Sequence, residues 1–432
     1  LAGLRVRPTF WGVLLLAAGS YVAGMVTGRD SEANLIFFRL SYFLLGWIVI
    51  SWGWALMSVR GLRVKRHARY LRQQVGQVFE ERFEIDNPSR WTRLWVEVRD
   101  EGTLLSGRSS KVLSIIGPFQ QRSYITRRLL LQRGEFMLGP TRLISGDPFG
   151  LFQTSRLVAD EQLLLVLPYW VRLEHWVEPP GMLAGGRARR IRSLEVSSQA
   201  AGVREYQAGD PLSRIDWKTT ARKERLMVKE FEQDPQADVW IFLDADRNVH
   251  VREADRAQEE EALSWLWVRS DLKLPAHTFE YAISGAASAA DYYIRQGRTV
   301  GLVCAGQRNL VLPAERGERQ LNKILEALAL LRCDGNLSVL GMIQAQGHLQ
   351  RGSTAVVATA STQDSVDLAA ELLLQRDIRP VMLLVNAQSF HGSPGTLALA
   401  ARLRAKRIAV AVIEKDRPLA DELLSAFDLR GM

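Results

Sequence analysis

Two apolar runs near the start constrain this chain of 432 residues more than any other feature. Phe10 to Val26 is 17 residues long and Leu40 to Val59 is 20, and neither contains a charge. Both are close to the length that crosses the hydrocarbon core of a bilayer. Charges are confined to the connection, at Arg29, Asp30, Glu32 and Arg39. The pattern predicts a transmembrane helical hairpin over residues 1–60, with spans at about 10–27 and 38–59. Gly12, Ala17, Ala18, Gly19 and Gly24 suit close helix packing, and Trp47, Trp52 and Trp54 cluster toward the end of the second run, as at a membrane interface. A cleaved signal peptide would explain the first run, which follows Arg5 and Arg7 and contains Ala23, but not the second.

The net charge of +9 is unevenly placed. Arg60, Arg63, Lys65, Arg66, Arg69 and Arg72 follow the second run with no acid among them, and Arg187, Arg189, Arg190 and Arg192 sit in a glycine-containing stretch. These ten cations account for the whole excess, which argues against a nucleic-acid face of interleaved basic and aromatic residues. The first cluster predicts, by the positive-inside bias, a multi-pass protein of the cell (plasma) membrane. Both ends of the hairpin and the large C-terminal part would then be cytoplasmic, and the lipid bilayer is the first expected partner. Cys304 and Cys333 lack metal-ligand spacing and read as buried thiols in a reducing compartment.

Residues 61–177 carry short turn-punctuated segments, among them Val78 to Ile85, Leu94 to Arg99, Tyr124 to Leu131 and Leu163 to Leu167. Asn87-Pro88, Gly117-Pro118 and Gly139-Pro140 separate them, which predicts an all-β sandwich-like domain. It holds two motifs, R-G-x-x-x-L-G-P (Arg133 to Pro140) and D-P-F-G-L-F (Asp147 to Phe152). In the second, Asp147-Pro148 opens a turn and Gly150 supplies an unusual backbone angle. Residues 178–235 then comprise a basic linker, read as solvated rather than lipid-bound, and a charged segment from Val203 to Asp234. There Arg204, Glu205, Asp210, Arg214, Asp216, Arg222 and Glu230 surround Tyr206, Ile215, Trp217 and Phe231. A solvated amphipathic face is the plain alternative, but arginine and carboxylate around aromatics suit an ion-pair lattice that holds one segment against another. Asp210-Pro211 reads as a helix start, with the helix running to about Lys223 and a strand over Leu226 to Glu232.

Residues 236–432 alternate continuous apolar strands with helices, from the strand Val239 to Ala245 to a closing helix at Asp416 to Phe427. Such a pattern predicts a mostly parallel sheet covered on both faces, with ligands at the strand ends.

The order Arg204-Glu205-Tyr206, Gly209-Asp210, Arg214-Ile215-Asp216-Trp217, Arg222 and Glu230-Phe231 closely resembles the signature of the domain of unknown function 58 family, known from bacterial proteins. The two β-domain motifs resemble those that precede the signature in that family. The α/β region, with its antiparallel hairpin return at Asn309 to Leu312, resembles a Rossmann-like von Willebrand factor A-like domain. That resemblance implies a divalent-cation site at a D-x-S-x-S strand end. The matching residues are Asp244, Asp246 and Asn248, so both serines are replaced and magnesium is an expectation only of a degenerate site. Thr359, Ser361 and Thr362 occupy the end of the later strand where a further ligand belongs, with Asp364 slightly late. A calcium-loop reading that adds Asp255 lacks the turn glycine. No phosphate loop, nucleophile elbow or H-E-x-x-H is present. Arginines near Asp210, Asp216 and Glu230 would keep them ionised, so no catalytic residue and no enzyme is expected. The family resemblance implies a MoxR-type AAA+ ATPase partner and, in many cases, a transglutaminase-like membrane protein. The expectation is a non-enzymatic, membrane-anchored interaction or assembly protein. The alternative is a divalent-cation-dependent ligand-binding or adhesion receptor.

Overall fold

A computed structural model describes residues 3–27, 32–104, 110–174, 176, 200–207, 215–231, 238–253, 274–306, 309–347 and 349–425. The chain divides into two compact units. One is Leu1–Trp170 with Val251–Ala287 and Lys323–Arg332, and the other is Val171–His250 with Ser288–Asn322 and Cys333–Met432. The basic linker expected at Glu178 to Ser198 lies outside the described residues.

The first unit opens with a short strand, β1 (Gly3–Val6), followed by helices α1 (Pro8–Val26) and α2 (Glu32–Ser58). Pro8 at the first helical position needs no amide partner, so it starts α1 cleanly. The helices pack antiparallel at small residues, with Gly24 against the Phe38 ring. Only 11% of each apolar window is buried, so the hairpin presents side chains such as Leu15, Val26, Phe43 and Ile50 outward. That helix content and length weakly suggest membrane association. α2 starts earlier than the apolar run alone predicts, because one arginine at position 39 does not break a helix. One face of its last turns is enclosed by the domain that follows: Ser51, Ala55 and Ser58 are buried, and Thr154 donates to the Ala55 carbonyl at 2.9 Å.

The strands that follow are β2 (Arg63–Ala68), β3 (Arg72–Gln74), β4 (Val78–Asp86), β5 (Arg93–Asp100), β6 (Ser110–Ile116), β7 (Gln121–Leu129), β8 (Gly134–Leu138), β9 (Thr141–Gly146), β10 (Phe152–Val158) and β11 (Gln162–Leu167). They form sheets in the orders β1-β10-β9-β5-β6, β2-β4-β7 and β3-β11-β8. β1 precedes the hairpin yet pairs with β10, which its four residues alone do not announce. In β4 every second side chain is buried, as a half-buried strand requires. Phe83 and Ile85 from β4 meet Val96 and Val98 from β5, Leu143 from β9 and Leu62 to form the core.

Arg66 belongs to the cationic cluster after the second apolar run, but the β2 alternation turns it inward. It donates to Asp100 at 2.7 Å and lies over the Phe83 ring. Arg128 joins Glu81 at 2.6 Å and Asp100 at 2.8 Å, so two arginines and two carboxylates form a buried lattice between strands of different sheets. Burial pushes the Glu81 carboxyl above its ordinary pKa despite both arginines. Burial acts on Asp100 in the same direction, but the two guanidiniums outweigh it and hold Asp100 below the usual range.

The two β-domain motifs have separate structural roles. Arg133 donates to the carbonyls of Leu328 and Leu331 at 2.9 and 2.8 Å and pairs with Glu280, all within the first unit. Asp147 takes the backbone N–H groups of Phe149, Leu151 and Phe152, and Gly150 adopts φ +74°.

In the second unit, β14 (Val239–Leu243), β15 (Val300–Ala305), β16 (Asn309–Glu315), β17 (Thr354–Thr359), β18 (Arg379–Val385) and β19 (Ala409–Ile413) form one sheet in the order β16-β15-β14-β17-β18-β19. Every pairing is parallel except β15 with β16. Helices in this stretch are α4 (Thr278–Arg295), α5 (Glu318–Leu330), α6 (Val339–Ala345), α7 (Asp364–Gln375), α8 (Thr396–Ala405) and α9 (Leu419–Leu424). α6 was not expected; Ser338 caps it by accepting from Gly341 N–H at 3.3 Å. Val339, Ile343, Val366 and Leu403 close over Phe242, Val357 and Met382, which explains why the central strands are apolar throughout.

Candidate functional site

The charged segment folds as a two-stranded ribbon, β12 (Ala200–Glu205) with β13 (Met227–Phe231), and a helix α3 (Trp217–Lys223) between them. Its helix starts later than the sequence suggests. Ile215 is bridged to Val228 and is buried, so it cannot be helical, and Asp216 caps α3 by accepting from Lys218 and Thr219 N–H at 3.1 and 3.3 Å. Gly209, Asp210 and Arg214 lie outside the described residues, as do the side chains of Arg204, Glu230 and Phe231. Glu224 in the left-handed region ends the helix, after Arg222 and Lys223, whose charges complement its C-terminal dipole. Trp217, at the first position of α3, is 68% exposed, while the ribbon buries Met227 and Val228. Glu205 and Arg225 face each other at 3.7 Å, both well exposed, a contact worth little in water. Arg222 is exposed as well, so α3 offers an indole and a guanidinium to solvent.

The other candidate lies where the sheet order reverses, between β14 and β17. Parallel sheets bind ligands at such a point, beyond the strand carboxyl ends. Asp244 is the residue after β14 and is 1% exposed. Thr359, at the end of β17, donates its hydroxyl to Asp244 Oδ2 at 2.6 Å and accepts from Ser361 N–H at 2.9 Å. The other carboxylate oxygen, Oδ1, accepts from Asp246 N–H at 3.0 Å. Burial raises the Asp244 carboxyl to about 6, against the pull of these donors. Asp246 turns its Oδ1 to the N–H and side-chain amide of Asn248, at 3.0 and 2.9 Å, an Asx turn in the open. Thus both Asp244 oxygens already have protein donors, and Asp246 supports its own turn. Among the described residues no three His, Cys, Asp or Glu side chains gather as a metal site.

Sequence reasoning missed three neighbours. His250 Nε2 lies 2.9 Å from the Asp244 carbonyl oxygen. Gly335 donates its N–H to the Ala245 carbonyl at 2.9 Å, and a Cβ there would lie 2.2 Å from the Ala305 oxygen, so only glycine fits between these strand ends. Cys333 is half-buried rather than buried, whereas Cys304 is enclosed and its thiol is pushed up to about 12, chiefly by burial. The Asp-Gly pair at 334–335 was the available signal, a turn dipeptide a few residues after a helix. Further along the same edge, Glu422 accepts Glu414 N–H at 3.0 Å and burial raises its carboxyl to about 7.

Fold and site together define a multidomain protein: a β-domain bearing an apolar helical hairpin, and an α/β domain with a buried aspartate at the sheet's switch point. Residues 202–421 match the family described as "Protein of unknown function DUF58", and the chain belongs to it. An uncharacterised Bacillus subtilis protein, YeaD, is 26% identical over 202 residues, which are 47% of this chain and 44% of YeaD. The matched part thus spans less than half the length of that relative. Among solved structures, the CARDB domain of a Pyrococcus furiosus protein is 12% identical and covers 24% of this chain and 91% of its own, with a TM-score of 0.19. A Listeria innocua β-glucosidase is 8% identical over 24% of this chain and 16% of its own, with a TM-score of 0.18. Likeness so slight leaves fold and function to be argued from the residues.

Proposed function

We propose that the chain is a membrane-anchored cytoplasmic interaction or assembly protein, whose α/β domain is von Willebrand factor A-like and whose partner is a MoxR-type AAA+ ATPase. The observation that carries this reading is the pairing of an outward apolar hairpin with an α3 whose Trp217 and Arg222 face solvent. Exposed tryptophan and arginine are the side chains that dominate protein interfaces when buried by a partner. Support for the A-like assignment comes from the strand order and from the antiparallel edge strand β16. The ATPase, and a transglutaminase-like membrane protein beside it, follow from the family resemblance. In this reading the sheet edge positions the domain and performs no bond-making chemistry.

Affinity capture of the full chain from native membranes tests it. The wild type is expected to bring down a AAA+ ATPase, and Trp217→Ala with Arg222→Ala to lose at least tenfold of it, as truncating interface anchors does. Equal recovery with the double variant would remove α3 as the contact. A second reading, a cation-dependent receptor, has one observation in its favour, the Asp244 and Thr359 oxygens at the switch point. Calorimetry with magnesium separates the two readings: a binding heat that disappears with Asp244→Ala would establish the receptor.

A further inference from the structure

One end of the β-domain collects four features that the sequence scatters over 150 residues. Strand register shows which end. Val6 at the close of β1 lies opposite Phe152 at the start of β10, so the β1–α1 junction and the turn Asp147 to Leu151 share an end. β9 runs antiparallel to β5, so the start of β5 at Arg93 lies there too. Arg93 pairs with Ile116, which adds the loop after β6, and Asp86 pairs with both Arg63 and Gln121, which adds the loop after β4. The two loops are tied together, since Asn87 N–H meets the Gln120 carbonyl at 3.1 Å and Phe119 N–H meets Ser89 O at 3.2 Å.

The helical hairpin joins the β-domain at this same end. Arg7 N–H bonds the Leu151 carbonyl, and Thr9 donates to the Gly150 carbonyl at 2.6 Å. Trp47 of α2 meets the Phe149 ring edge-on at 4.9 Å, and Arg93 donates to the carbonyls of Met57 and Arg60. Each of the three loops carries an outward aromatic at its tip: Trp91 is 63% exposed, Phe119 69% and Phe149 54%. Arg7, Arg60 and Arg90 are exposed beside them. Among the described residues no exposed acid interrupts the set: Asp147 is buried with three backbone donors and Asp86 is half-buried in β4.

We infer that this loop end is a membrane-docking face, seated in the headgroup layer of an anionic bilayer, and it rests on the hairpin's being in the membrane. Aromatic rings at loop tips and arginines in the same layer are what an interface of acyl chains and lipid phosphates selects. The occupant is the bilayer because the face is continuous with the hairpin. α1 enters at Pro8, level with the Phe149 turn, and α2 returns past Trp47 at the same level. The last turns of α2 then belong to the β-domain, and residues 8–27 and 32–50 are left to cross.

The test is hydrogen exchange on the full chain in nanodiscs of phosphatidylcholine, with or without phosphatidylglycerol. Backbone amides of residues 89–92 and 117–120 are expected to exchange roughly tenfold more slowly with the anionic lipid. Arg60→Ala with Arg90→Ala, and separately Trp91→Ala with Phe119→Ala, should abolish that difference without lowering the melting temperature, since these side chains lie on the surface. Equal exchange in the two lipids, or protection that survives both pairs of substitutions, overturns the docking face while leaving the hairpin in the disc. Failure of the wild type to enter discs at all would overturn the hairpin reading, and the docking face with it.

Discussion

Two buried carboxylates of this chain carry opposite pH signatures, and each follows from its neighbours. Asp244 has a folded pKa of about 6, above its unfolded value. It therefore binds a proton more tightly when folded, and its cost is absent below about pH 4 and complete above about pH 6. Asp244→Asn is expected to remove that titration and so flatten the stability of the α/β unit between those limits. Denaturant melts across that range would show it, and an unchanged pH profile would refute it. Asp100 has the reverse sign, because Arg66 and Arg128 hold it low, so its contribution is present above the unfolded carboxylate range and fades as pH falls through the folded value. Removing one member of that lattice strands a charge. Arg128→Met should cost about 3–5 kcal/mol, most of which returns when Glu81→Leu is added, as a double-mutant cycle would report.

Among the elements, α3 depends most on a single side chain. Asp216 supplies both of its side-chain cap bonds, so Asp216→Ala should weaken the helix by about 1 kcal/mol while leaving the β12–β13 ribbon paired. Hydrogen exchange would place the loss in residues 217–223. This also separates cap from contact: Asp216 supports α3, while Trp217 and Arg222 are the residues a partner would meet. The sheet of the α/β unit was legible at element scale because its parallel strands are largely apolar runs of five to seven residues, while the edge strand β16 alternates instead. The helix expected from Asp210 was misplaced at residues 215 and 216, since a cap-like aspartate recurs six residues later and only pairing with Val228 decides which one opens the helix.

At the scale of the molecule, the hairpin's apolar side chains are exposed, and both its helices are long and apolar enough to cross a bilayer. The full chain should stay in the membrane pellet after an alkaline carbonate wash. In inverted vesicles a protease added outside should digest everything beyond Arg60, whereas intact cells should protect it. Digestion in intact cells would place the domains on the other face.

What the sequence determined by itself was periodicity and punctuation: two charge-free runs, alternating strands bounded by glycine and proline, and apolar strands between helices. These are local, and the physics that reads them acts over a few residues. The tertiary structure alone decided which distant side chains meet. Arg66 looks like one more cation after an apolar run until β2 turns it onto Asp100, and Asp244 looks like an isolated strand-end carboxylate until Thr359, 115 positions away, donates to one of its oxygens. Charge pairing and desolvation depend on distance in space, and the position of a residue along the chain does not supply it.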